Sequence, residues 1–333
     1  MSFRFSYRPY RRAFRRPLRT TRGEWSQRDG LIVCVERADG QRGFGEVAPI
    51  PDFGTETLME AREFLDQLVQ APELELLKSE LGAYPCCAFA LSAARLPVVD
   101  RAEAYALSAL LPAGSGSLEA LQAKISAGYL NYKWKIAVLP VAEEIAILDQ
   151  LVALLPAGAK LRLDANGGLC AEACARWMHA LAQVSEQIDY LEQPLPVGEE
   201  ARMEAMSAEF GVPVALDESL NGASGSRWFE RGAWSGHFVV KPLVGGDYGK
   251  LLGRLRPHAA RVTLSSVFET GIGLAHALRL AADLPGLRAP LGFDTLSAFD
   301  DALSMAEIAS DGLVTLPNNF LPESIWKQLP LSS

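Results

Sequence analysis

An α/β chain whose larger part closes into a parallel barrel is predicted by a strand–helix rhythm, a missing phosphate loop and the phase of five charged residues. From about residue 105, short apolar segments recur, each followed by an amphipathic helical stretch. They lie at 132–138, 161–166, 188–193, 214–218, 238–242, 262–266 and 289–293, and 105–111 opens the set. Strands alternating with helices imply right-handed βαβ units and a parallel sheet. Eight such strands in fewer than about two hundred residues point to a barrel. The alternative, a doubly wound open sheet, calls for a glycine-rich phosphate loop after an early strand, and the sequence has neither GxGxxG nor a Walker A motif.

The segment before the rhythm reads differently. Phe3, Phe5 and Tyr7 alternate with Arg4, Ser6 and Arg8, a period-2 strand pattern. Residues 31–36 form an apolar run, Asp39-Gly40 is a hairpin turn signal, and the return strand ends in Gly43-Phe44-Gly45-Glu46. The prolines of 48–54 forbid helix or central strand, so an irregular loop is expected there. Helical patterns follow at 56–70 and 85–96, the second stopped by Pro97. Residues 1–104 thus read as a small α+β unit and 105–304 as the barrel. The tail from about 305 to 333 breaks the rhythm and is expected to pack back on the first unit.

Bulk properties exclude several functions. With 333 residues, 49% hydrophobic and 22% charged, the chain has a soluble globular composition. A net charge of −8 offers no electrostatic case for nucleic acid or an anionic membrane. No apolar run approaches the ~20 residues needed to span a bilayer. Five irregularly spaced cysteines suit buried free thiols in a reducing, cytoplasmic setting. Four scattered histidines give no zinc pattern and no serine–histidine triad. Nine arginines among the first 28 residues have the flavour of a transit peptide, but the strand pattern running through them favours a folded face. One or two of them are candidates to meet an anionic substrate.

Lys135, Asp164, Glu192, Asp217 and Lys241 each fall in or at the C-terminal end of a strand, at spacings of 29, 28, 25 and 24 residues. Residues so placed point into one barrel mouth, where barrel active sites lie. Three carboxylates on adjacent strands resist joint ionisation without a cation, and all-oxygen ligation suits Mg²⁺, with Mn²⁺ able to replace it. Buried ion pairs would account for one such pair but not for five residues at one phase. Lys133 shares a face with Lys135 and is assigned to substrate contact. A neighbouring cation and a metal would both lower the pKa of Lys135 towards that of a working base. With Lys241 on the opposite wall, the set suits an enediolate made by removing the α-proton of a small carboxylate substrate. Arg162 and Asn166 share the face of Asp164 as supporting candidates.

The segments Lys133-Trp134-Lys135, Leu163-Asp164-Ala165-Asn166, Glu192-Gln193-Pro194, Leu216-Asp217-Glu218-Ser219 and Val240-Lys241-Pro242 resemble the muconate-lactonizing subgroup of the enolase superfamily. The resemblance covers nearly the whole chain. It implies a modified TIM barrel, (β/α)7β, with an α+β capping domain made of the N-terminal segment and the C-terminal tail. It also implies Mg²⁺ on Asp164, Glu192 and Asp217, Lys135 as the base, and Lys241 as an electrostatic partner. Further segments, Phe14-Arg15-Arg16-Pro17-Leu18, Gly23-Glu24-Trp25-Ser26, Gly45-Glu46-Val47-Ala48-Pro49, Leu264-Ser265-Ser266 and Leu291-Gly292-Phe293-Asp294-Thr295, resemble one dehydratase branch. That branch converts 2-succinyl-6-hydroxy-2,4-cyclohexadiene-1-carboxylate to 2-succinylbenzoate in menaquinone or phylloquinone synthesis. Ser265, Ser266 and Gly292 would line the pocket for the succinyl tail, and the loop from about 48 to 57 would close over the mouth. The rivals are an N-succinylamino acid racemase or a dipeptide epimerase of the same superfamily. More distant ones are a Schiff-base aldolase using Lys241 and a non-catalytic binding barrel. Segment 291–295 has no Asp-x-Asp for a substrate amine, which counts against the epimerase. The oligomeric state has no signature in the sequence.

Overall fold

The computed structural model describes residues 3–20, 23–70, 81–96, 103–222, 224–304, 307–309, 311–317 and 320–331. The chain opens with a three-stranded antiparallel sheet, β1 (Phe3–Thr20), β2 (Gly23–Arg37) and β3 (Arg42–Val47), ordered β1-β2-β3. The alternation seen at Phe3–Tyr7 thus belongs to a far longer strand than the pattern alone delimits. Gly40 takes φ +82° in the turn between β2 and β3, the left-handed conformation that the Asp-Gly signal predicts. Two helices, α1 (Leu58–Gln70) and α2 (Pro85–Ala93), pack on this sheet. Gly43 and Gly45 allow α2 to lie directly on β3. A Cβ at Gly45 would sit 2.0 Å from the carbonyl oxygen of Ala90. Pro97, expected to stop the second helix, lies outside the described residues.

The barrel strands are β5 (Ala109–Leu111), β6 (Asn131–Lys135), β7 (Lys160–Asp164), β8 (Ile188–Glu192), β9 (Val214–Leu216), β10 (His237–Val240) and β11 (Val262–Leu264). They form one parallel sheet in sequence order, with α3 (Gly116–Ser126), α4 (Val141–Leu154), α5 (Ala171–Gln183), α6 (Glu200–Phe210), α7 (Tyr248–Leu255) and α8 (Gly271–Ala282) between and after them. Alternate apolar residues of the strands pack against the helices, while Tyr190, Ala215 and Val239 form a separate small cluster. Tyr132 and Trp134 of β6 are fully buried, and Trp134 meets Trp177 of α5 edge-on at 6.0 Å. Burial of each such side chain contributes on the order of 1.5–3 kcal/mol. The intervening positions, Lys133 and Lys135, therefore face the barrel interior.

Two expected strands come out differently. The segment 105–111 is two strands, β4 (Tyr105–Ala106) and β5. The first pairs with β13 (Leu313–Thr315), which also takes β12 (Glu307–Ile308), so the C-terminal tail joins a separate small sheet. The helix α9 (Pro322–Gln328) ends this tail, and its buried Ile325 and Trp326 pack against Tyr10, Ile32 and Phe44 of the N-terminal sheet. The expected eighth strand, 289–293, is reduced to single bridges, Leu107 with Leu291 and Ser265 with Gly292, both parallel. Main-chain bonds from Gly292 N–H to Leu264 and from Ser108 N–H to Leu291 nevertheless close the ring between β11 and β5. Pro290 has no N–H to give a ladder, which limits regular pairing there.

Candidate active site

Parallel register aligns the predicted residues. Lys135 is the Cα partner of Asp164, and Asp164 is that of Glu192. Their strand ends open into a cavity of about 590 Å³ lined by Lys133, Lys135, Asp164, Asp217, Lys241, Ser265, Ser266 and Gly292. Glu192 lies beneath its floor with no exposed surface. The lysines, Asp164, Asp217, Ser265, Ser266 and Gly292 thus line one cavity, and Glu192 is bonded to one of them, Lys133.

Lys133 Nζ donates to Glu192 Oε1 at 2.7 Å and lies 2.9 Å from Asp164 Oδ2. Lys241 Nζ donates to Asp217 Oδ1. The two ammonium groups take up oxygens of all three acids, and among the described residues no three acidic, histidine or cysteine side chains are gathered closely enough to ring an ion as they stand. Buried carboxylate oxygens are left over, that of Glu218 on the cavity wall among them. Glu192 Oε2 is buried and has no hydrogen-bond partner. An anionic oxygen without a donor is costly, and a cation would relieve it. The donor set is all oxygen, so the residues present fit Mg²⁺.

The electrostatics follow from crowding. Burial alone would depress the Lys133 pKa, but the charges of Asp164, Glu192 and Asp217 hold it well above the usual lysine range. Burial and the neighbouring Asp164 push Glu192 well up, against the pull of Lys133. For Asp164, burial is outweighed by the charge and hydrogen bond of Lys133 and by the Asn166 N–H, so its pKa falls. Glu218, also on the cavity wall, is raised to about 7 by burial and by the charges of Asp217 and Asp164.

Supporting residues fix these groups. The Gln193 side-chain oxygen accepts the Asp217 and Ser219 N–H groups, while its amide donates to Ser219 Oγ and the Leu195 carbonyl. Ser219 Oγ in turn donates to Glu200. Asn166 Nδ2 donates to Glu218 at 3.2 Å, tying the ends of β7 and β9. The non-glycine residues with positive φ, Ala137, Asn166, Gln193 and Phe268, all follow barrel strands at the mouth. Such conformations cost of order 1–3 kcal/mol each and concentrate at functional sites. Arg162 does not line the cavity. Its guanidinium binds Asp189 and the Pro290 carbonyl and lies over the Tyr190 ring.

The two serines differ. Ser266 Oγ is engaged by Glu269, the Phe268 N–H and Thr295, so its hydroxyl shapes the loop. Ser265 faces Gly292 across the bridge, and a Cβ at Gly292 would lie 3.0 Å from Ser265 Oγ. Trp25, Ile50, Phe53, Leu110, Val138 and Phe268 supply an apolar wall; Trp25 belongs to one of the resembling segments and Ile50 and Phe53 to the loop expected to close the mouth, while Leu110, Val138 and Phe268 carry no site signal in the sequence. Phe53, in the loop expected to close the mouth, has its ring 4.7 Å from Lys241 Nζ. Among the described residues, no arginine of the N-terminal cluster lines this cavity. Arg8, Arg11 and Arg15 hold main-chain carbonyls or carboxylates away from it, while Arg12 and Arg28 hold carbonyls of residues 267–269 behind its wall.

Comparisons with known proteins place the chain in a family of this fold. Residues 117–320 match the family model described as Enolase C-terminal domain-like, and residues 13–98 match that of the MenC N-terminal domain. The o-succinylbenzoate synthase of Thermosynechococcus vestitus is 36% identical over 278 residues, covering 81% of this chain and 85% of that protein. The o-succinylbenzoate synthase of Klebsiella pneumoniae is 31% identical, covering 81% and 84%. Among solved structures, the Thermosynechococcus elongatus o-succinylbenzoate synthase with Mg in its active site superposes with TM-score 0.81 at 34% identity, covering 90% of this chain and 95% of that one. An N-succinyl Arg/Lys racemase from Bacillus cereus superposes at TM-score 0.80 with 16% identity, a likeness of fold.

Proposed function

The chain belongs to the enolase superfamily, and we propose that it acts as a Mg²⁺-dependent dehydratase forming 2-succinylbenzoate, with Lys135 as the base. The observation that carries this reading is the single cavity in which Lys135 and Lys241 stand with Asp164 and Asp217 above the buried Glu192. Relatives at 36% and 31% identity that are o-succinylbenzoate synthases support the substrate, 2-succinyl-6-hydroxy-2,4-cyclohexadiene-1-carboxylate.

Asp164, Glu192 and Asp217 would hold Mg²⁺, which when bound would supply a Lewis acid for the ring carboxylate. Lys135 Nζ takes the proton from C1, next to that carboxylate. The C1 electron pair becomes the C1–C6 double bond as the C6–O bond breaks, and the hydroxyl leaves as water with the proton that Lys135 carries. Acid and base being one residue, the elimination is syn. Lys241 contributes positive charge at the facing wall and moves no proton. Lys133 keeps the floor carboxylates paired and borders the substrate. Ser265, Ser266 and Gly292 bound the succinyl end, with the hydroxyl of Ser265 turned to substrate. The loop from about 48 to 57 excludes water through Ile50 and Phe53.

Residues 1–104 with about 305–333 form the cap, and 105–304 form the catalytic barrel. The packing of α9 against the N-terminal sheet supports that division. Five free cysteines, four of them buried, support a cytoplasmic setting. The partner is the small-molecule carboxylate, with no nucleic acid and no membrane in its work. Among the described residues no helix is long and apolar enough to cross a bilayer. The test is direct turnover of the cyclohexadiene acid with Mg²⁺, set against racemisation of N-succinylamino acids.

A further inference from the structure

Arg12 and Arg28 are Cα partners on β1 and β2, so two guanidinium groups start from directly opposite positions. Like charges so placed repel, and both side chains are buried, at 1% and 5% exposure. Such a pair persists only if other groups compensate it. The compensation comes largely from main-chain oxygens. Arg28 Nε donates to the Val267 carbonyl at 2.9 Å, its Nη1 to Pro49 at 2.7 Å and Asp29 at 3.1 Å, and its Nη2 to Ala48 at 2.7 Å. Arg12 Nη1 donates to the Phe268 and Glu269 carbonyls at 3.4 and 2.7 Å, while its other nitrogens bind Asp301 and Ser304.

Three successive carbonyls, 267 to 269, are therefore captured by two arginines from the cap. The residue at their centre, Phe268, has φ +63° and lines the cavity. A bulky aromatic in that conformation needs its neighbours to hold it there. Phe14 and Phe299 flank its ring at 5.1 and 6.3 Å. Arg28 alone also grips the root of the mouth loop, because Ala48 and Pro49 lead directly into Ile50 and Phe53.

We propose that Arg28 is a positioning residue that couples the mouth loop to the Val267–Phe268 wall, so that two adjoining parts of the cavity lining are set by one buried guanidinium. Arg12 supports the wall only. Neither touches a reacting atom. The coupling does not depend on which carboxylate acid is turned over.

The test is amide hydrogen exchange on the Mg²⁺-loaded full chain, comparing Arg28→Lys with Arg12→Lys. A lysine keeps the charge but cannot span carbonyls of both segments. In Arg28→Lys, the amides of Ile50, Phe53, Val267 and Phe268 should exchange faster together, with those of β7 and β8 unchanged. In Arg12→Lys, only Phe268 to Thr270 should loosen and the mouth loop should keep its wild-type protection. Steady-state kinetics of Arg28→Lys should show KM raised about tenfold with kcat within about twofold. Wild-type exchange in either segment of Arg28→Lys would overturn the proposal. So would equal loosening of β7 and β8, or a mouth loop that loosens in Arg12→Lys. If Arg28→Lys does not accumulate as folded protein, the Arg12→Lys exchange pattern still decides.

Discussion

Lys133 Nζ stands 2.7 Å from Glu192 Oε1, and this contact puts a buried positive charge at the floor of the carboxylate cluster. Glu192 is fully buried, and its other oxygen has no partner. Removing the ammonium leaves Asp164 and Glu192 facing each other with no cation between them. Breaking a buried pair in this way costs roughly 3–5 kcal/mol. Lys133→Met should therefore melt well below wild type in metal-free buffer and recover more than wild type does when Mg²⁺ is added. Thermal melts of both proteins with and without Mg²⁺ check this. Equal Mg²⁺ dependence would contradict the placement of the ion on these carboxylates.

In the proposed reaction Lys135 carries the proton. Lys135→Ala should lose dehydration by about 10²–10⁴-fold or more, the range of general acid–base catalysis, with little change in melting temperature. Solvent deuterium exchange at the substrate α-carbon should stop with it. Exchange at the wild-type rate would remove Lys135 from the base role.

The close approach of α2 to β3 gives a prediction about the fold alone. A Cβ at Gly45 would meet the Ala90 carbonyl oxygen at 2.0 Å and its carbon at 2.7 Å, and backbone cannot swing aside as a side chain does. Gly45→Ala should destabilise by about 1–3 kcal/mol or more, read as a shift in urea midpoint. Gly82→Ala, where a Cβ meets nothing within 4 Å, is the control and should leave the midpoint unchanged.

Burial pushes the Glu269 carboxyl from an ordinary value near 4.5 up to about 7, with the charge of Glu46 adding to the effect. Because its pKa is higher folded than unfolded, the folded state binds the proton more tightly between those values. Its contribution to stability is then fully present below pH 4.5 and is lost as pH rises through 7. Glu269→Gln cannot ionise. Wild type should lose stability relative to Glu269→Gln as pH rises from 5 to 8, measured by urea unfolding at each pH. Parallel profiles for the two proteins would contradict an ionising buried Glu269.

The proposed catalytic set was legible because strand ends have a phase. Lys135, Asp164, Glu192, Asp217 and Lys241 recur at about one βα unit, and a charged residue closing an apolar segment stands out. The cavity wall has no such phase. Trp25, Phe53 and Phe268 come from a cap strand, a proline-rich loop and a post-strand turn, and only long-range packing brings them together. Arg12 and Arg28 read as a solvated face or a substrate contact because the partners of Arg28 are carbonyl oxygens, which every residue has, and the ion-pair partner of Arg12, Asp301, is 289 residues away. Segment 289–293 has the apolar pattern of a strand, yet it closes the ring through single bridges. The pattern reports burial; pairing depends on a neighbour and on the missing N–H of Pro290.

The central claim is that this cavity removes an α-proton and expels a hydroxyl, and one assay addresses it. Purified protein with Mg²⁺ is given the cyclohexadiene acid, and the aromatic product is followed by its absorbance, with N-succinylamino acids tested in parallel. Efficient, chelator-sensitive formation of 2-succinylbenzoate, absent in Lys135→Ala, is the expected result. Efficient racemisation of N-succinylamino acids with no dehydration would contradict it.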